Sequence, residues 1–151
     1  MIETVSISSS TYQKPPYKFE AGTPAIAEVI GLGKAVTYLG ELDRKEKVAQ
    51  ETLLVNSAVD QLSRLPRIQL IGTPKNRMSV ISFLIEDTHP HDVGQILDQQ
   101  GVAVRSGHHC TMPLMNELQI PGTVRASFSL YSNARDVTRL IESVEKAADL
   151  L

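Results

Sequence analysis

Between Val124 and Tyr131 the chain alternates residue by residue, and any fold it adopts must give that stretch a sheet with one dry face. Val124, Ala126, Phe128 and Leu130 fall on one side, with Arg125, Ser127, Ser129 and Tyr131 on the other. A lone strand is not stable in water, so partners are needed. Ile68 to Ile71 reads as a short strand closed by Gly72-Thr73-Pro74. Ser79 to Ile85 is apolar at nearly every position and reads as a central strand covered on both faces. Lys75-Asn76-Arg77 between them is a solvated turn. Val102-Ala103-Val104 supplies a further short strand.

The cover comes from segments with helical period. Glu46 to about Leu65 sets Val48, Thr52, Val55, Val59 and Leu62 on one face, with Leu54 and Ala58 beside it, and Pro66 ends it. His89-Pro90-His91-Asp92 opens a helix with Pro90 first, Val93, Ile96 and Leu97 inward, and Gly101 as terminator. His89 and His91 read as surface residues of a helix start. Asn133 caps a last helix whose buried stripe is Val137, Leu140, Ile141, Val144, Ala148 and Leu151. From Glu46 onward the order is α-β-β-α-β-loop-β-α. It predicts a two-layer α+β domain over 46–151, with about four strands and helices on one face.

Residues 1–45 do not complete a second core. Met1 to Ser10 carries one weak strand without a partner, and Tyr12 to Tyr17 is an extended connector. Thr23-Pro24 reads as N-cap and first residue of a helix with Ile26, Val29, Ile30, Gly33 and Val36 at helical spacing. Gly31 and Gly33 weaken that helix and point to close packing by another backbone. A capped helix start is also a possible phosphate site.

Composition excludes several function classes. A net charge of −2 gives no electrostatic case for nucleic acid or an anionic membrane. No apolar run approaches a membrane span, and no basic-then-apolar leader pattern opens the chain. The single cysteine cannot form an intrachain disulfide, which fits a reducing cytoplasm.

That cysteine ends the stretch Arg105-Ser106-Gly107-His108-His109-Cys110. Ser106 and Gly107 release the chain into a loop, and Pro113 starts a helix from Leu114 to about Leu118. The sulfur then sits on a loop past a strand end. A thiolate is a far better nucleophile than a thiol, and nearby positive charge favours it. Arg105 carries such charge permanently, and His108 or His109 carries it when protonated. A buried structural cysteine would not need these polar neighbours. Three adjacent residues rarely converge on one metal ion, and a second cysteine is missing. On the long strand Arg125 has hydroxyl neighbours and suits a bidentate carboxylate grip.

With Met112-Pro113-Leu114-Met115, this stretch resembles the active-site cysteine loop of the cysteine desulfurases, in the SUF-type (group II) branch that includes selenocysteine lyases. Phe19-Glu20-Ala21-Gly22-Thr23-Pro24, Gly31-Leu32-Gly33 and Val124-Arg125-Ala126-Ser127-Phe128 agree with it. The resemblance covers essentially the whole chain but only the carboxy-terminal part of the family's polypeptide. It implies the small domain of a fold-type I pyridoxal phosphate enzyme, with residues 1–45 a remnant of the large domain. It implies conversion of L-cysteine, or selenocysteine, to L-alanine, leaving a persulfide for a sulfur-acceptor protein and iron–sulfur cluster assembly. Cys110 is then the nucleophile. Arg125 grips the substrate carboxylate, Arg105 supports loop and charge, and His108 and His109 tune or orient the thiol. Thr23 reaches the cofactor phosphate of the other subunit in a homodimer.

None of the lysines, at positions 14, 18, 34, 45, 47, 75 and 146, has the context of the family's cofactor lysine. The resemblance therefore implies a truncated or split enzyme, inactive alone. Two other classes stay open: a non-enzymatic persulfide carrier, and a small metal-binding domain built from the four histidines and Cys110.

Overall fold

The computed structural model describes residues 1–151. Contacts divide the chain into two compact units, Met1–Leu42 and Asp43–Leu151. The first unit holds an antiparallel hairpin, β1 (Ile2–Val5) and β2 (Ser10–Tyr12), then a 3-10 turn at Tyr17–Phe19 and helix α1 (Ile26–Glu41). The early strand is thus not unpaired: the polar turn between Val5 and Ser10 folds it back on β2. Helix α1 starts at Ile26 with Ala25 as N-cap and no side-chain cap, so the expected Thr23 cap and Pro24 start are not formed. No backbone packs against Gly31 or Gly33 within this chain. No side chain of α1 is buried.

The second unit is the two-layer α+β fold. Strands β3 (Ile68–Ile71), β4 (Val80–Ile85), β5 (Arg105–Gly107) and β6 (Thr123–Ser127) form one antiparallel sheet in the order β3-β4-β6-β5. Helices α2 (Arg44–Leu62), α3 (Pro90–Gln99) and α5 (Ala134–Leu150) supply its cover, and the short α4 (Met112–Leu118) follows the cysteine. The register puts Ile81 opposite Ala126 and Phe83 opposite Val124, all on the helix side. They pack with Leu62, Val93, Leu97, Leu140 and Val144 in one core. Each fully buried Leu, Ile or Phe there contributes roughly 1.5–3 kcal/mol.

Local signals explain the helix ends. Asp43 accepts from the backbone N–H of Lys45 and Glu46 and caps α2. Asn133 and Asp136 form a reciprocal capping box on α5. Pro90 opens α3 after the N-cap His89, and Gly101 closes it at φ +74.

Four expectations are corrected. Val48 is exposed, because the buried stripe of α2 runs through Leu54, Val55, Ala58 and Leu62. Alternate residues of β4 are only half-buried, so helices cover one face and not both. The strand before the cysteine is Arg105–Gly107, not Val102–Val104, because pairing with β6 begins at Arg105. The last strand ends at Ser127, because the chain turns where the amide of Ser132 bonds the carbonyl of Ser129.

Candidate functional site

Antiparallel pairing sets two arginines directly opposite each other. Arg105 of β5 faces Arg125 of β6, and Arg125 faces Ser82 of β4, which faces Ile71 of β3. The four make one row across the face that the helices leave open. Like charges on a cross-strand pair repel, and no carboxylate intervenes, since the only salt bridge of the chain joins Arg64 to Asp60. The Nε of Arg125 is buried without a partner. Two guanidiniums held side by side, one with an unmet buried donor, have the charge and donors that suit an anion.

The thiol joins this pair through a turn. His109 and Cys110 have φ of 54 and 61, and the N–H of Thr111 donates to the carbonyl of His108 at 2.9 Å. Two successive left-handed residues inside a four-residue bonded turn reverse the chain with the hand of a hairpin turn. Neither residue is glycine, at a cost of roughly 1–3 kcal/mol each. The turn is braced within itself: Cys110 donates its N–H to His108 Nδ1 at 3.1 Å, and the Thr111 hydroxyl donates to the His108 carbonyl at 2.8 Å. Cys110 is exposed, and its Sγ lies 3.6 Å from a terminal guanidinium nitrogen of Arg105.

The two histidines occupy different places in this turn. His108 Nδ1 accepts from the Cys110 amide and therefore carries no proton there. His109 turns away from the sulfur, with Nε2 at 2.8 Å from the Thr123 hydroxyl and 3.1 Å from the Thr123 carbonyl. A carbonyl only accepts, so the proton sits on Nε2 and Nδ1 is a bare acceptor, buried and without a donor. Burial pushes the His109 pKa below the usual histidine value, and the guanidiniums of Arg125 and Arg105 push the same way against the Thr123 carbonyl. The imidazole is neutral near pH 7, so Arg105, and not His109, is the charge beside the thiol.

Two supporting residues escaped sequence reasoning. Thr123 is almost fully buried and anchors His109. It lies two residues before Arg125, in phase on the same face, which was the available signal. A Cβ on Gly122 would come within 2.6–2.9 Å of the Gly107 backbone, so a side chain there is excluded where the cysteine turn leaves the sheet. Arg105, Arg125, His108, His109 and Cys110 are brought together. Thr23 belongs to the first unit, is exposed, and follows Gly22 at φ +80. No three His, Cys, Asp or Glu side chains converge as a metal site.

The aminotransferase class-V family model matches residues 1–140. A probable cysteine desulfurase of Streptomyces coelicolor is 48% identical over 96% of this chain and 35% of its own length. Probable cysteine desulfurase 2 of Mycobacterium leprae is 45% identical over 99% of this chain and 36% of its own length. Among solved structures, the S-sulfonic acid form of the cysteine desulfurase CsdA from Escherichia coli superposes with a TM-score of 0.84 at 35% identity, covering 100% of this chain and 37% of that one. Apo cysteine desulfurase from Thermococcus onnurineus gives 0.82 at 38% identity, covering 99% and 38%. The chain thus spans just over a third of the length of the relatives it matches.

Proposed function

The chain belongs to the aminotransferase class-V family, and we propose that it is the thiol-bearing, carboxy-terminal part of a SUF-type cysteine desulfurase. The observation that carries this is the Arg105–Arg125 pair, uncompensated by any acid, with the Cys110 sulfur 3.6 Å from Arg105. One guanidinium suits the α-carboxylate of L-cysteine, and the other sets a permanent positive charge beside the sulfur that meets the substrate's own. The Cys110 thiolate attacks the substrate sulfur. An S–S bond forms as the substrate Cβ–S bond breaks, and the carbon skeleton leaves as L-alanine once that carbon takes a proton. The persulfide left on Cys110 is exposed and passes to an acceptor protein, with iron–sulfur cluster assembly as its destination.

Cleaving that Cβ–S bond needs an electron sink, which pyridoxal phosphate supplies in enzymes of this kind. The residues of this chain do not make its cradle. No lysine is among the groups that strand pairing and hydrogen bonds bring to Cys110. Thr23 is proposed to serve the phosphate of a partner subunit's cofactor. The chain alone therefore releases no alanine from L-cysteine with added pyridoxal phosphate. Joined behind a lysine-bearing region of a relative, it should release alanine and form persulfide, and Cys110→Ala should abolish the persulfide. Alanine release by the chain alone, or persulfide in the joined Cys110→Ala protein, would refute the assignment. The exposure of Cys110 favours one further reading, a persulfide carrier without catalysis. Persulfide on Cys110 after incubation with a separate active desulfurase, together with an inactive joined protein, would establish that instead.

A further inference from the structure

Helix α3 touches β5 at a point that neither the charge pair nor the thiol explains. His91, in the first turn of α3, places Nδ1 3.1 Å from the hydroxyl of Ser106, the middle residue of β5. A Cβ added to Gly107 would stand 3.4 Å from the His91 ring, and one added to Gly94, nearly a turn along α3, would stand 2.8 Å from the Ser106 hydroxyl. Two glycines thus let helix and strand approach closely. The residue is itself held: the His89 ring stacks on its ring at 5.3 Å, and its backbone N–H donates to His89 Nδ1. Ser106 is paired with Val124 and so turns to the helix side, while its neighbour Arg105 turns to the open side toward the sulfur.

We propose that His91 is a positioning residue: by gripping Ser106 it holds the edge strand β5 in place and so keeps the Arg105 guanidinium against the Cys110 sulfur. The role rests on Cys110 being the reacting thiol. An edge strand three residues long has ladder bonds on one side only, and its other side is free to fray without such an anchor.

The test is the alkylation rate of Cys110 by iodoacetamide in the full chain, beside a cysteine in an unstructured peptide. The chain should react faster than the peptide. His91→Phe and Ser106→Ala should each slow it by ~3-fold or more, in the range of measured coupling between contacting groups. His91→Asn, which keeps a polar atom near the Nδ1 position, should restore most of the rate. In an Arg105→Ala background His91→Phe should have no further effect, which a general loss of structure would not produce. A fast chain that His91→Phe and Ser106→Ala leave fast overturns the positioning role alone. So does a His91→Phe effect undiminished without Arg105. A chain that reacts only at the peptide rate overturns the activated thiol and the positioning role together. Should His91→Phe fail to fold, Ser106→Ala with and without Arg105 decides the matter.

Discussion

At the scale of single residues, Cys110 and His109 sit side by side in the same strained turn but differ in what they carry. Cys110 is exposed and packs against little, so Cys110→Ser should change stability by no more than about 0.5 kcal/mol while ending persulfide acceptance. Thermal melts and mass spectrometry after exposure to a persulfide donor check both halves. His109 is held neutral by burial and by the guanidiniums of Arg125 and Arg105. Its folded pKa lies below the unfolded value of about 6.5, so the unfolded state binds the proton first as pH falls. The stability it contributes is complete above about pH 6.5 and drains away below it. His109→Gln should flatten that acid loss in melts between about pH 7 and pH 5, relative to the parent. An equally steep loss in the variant would refute the assignment.

At the scale of elements, the joints matter more than the strands themselves. Gly122 lies against the backbone of Gly107 with no room for a methyl group. Gly122→Ala should therefore destabilise by about 1–3 kcal/mol and alter Cys110 alkylation, because backbone meets backbone and neither yields. Asn133→Ala removes the side-chain acceptor of the capping box on α5, while the backbone N–H of the same position still donates to Asp136, and should lower stability by about 1 kcal/mol in urea melts. Period and caps made α3, α5 and β3 legible in the sequence, since each is fixed by its own residues. The strand before Cys110 was misplaced by three residues because its extent depends on where β6 offers a partner, which Val102-Ala103-Val104 does not encode. The turn of His109 toward Thr123 was likewise hidden, because a left-handed φ at a histidine leaves no mark in residue type. Cys110, Arg105 and Arg125 were readable, since reactive groups are rare and the strand phase fixes their face.

At the scale of the molecule, the buried core lies within Asp43–Leu151, while Met1–Glu41 contains no buried residue. Limited proteolysis should strip the first unit and leave the second as a resistant product. Equal resistance along both would refute this, unless self-association covers the first unit. The pairing of Arg105 with Arg125 also gives the sheet a use as a gauge block. Arg125, the proposed carboxylate grip, and Arg105 beside the sulfur share one rung of the same ladder, so the spacing from which the two side chains start is a backbone dimension. A slip of one residue between β5 and β6 would swing Arg105 toward the helices and put Ser106 in its place. The alignment of the two guanidiniums is thus set by strand registration, while the exposed thiol stands beyond the sheet on a short turn braced by its own bonds.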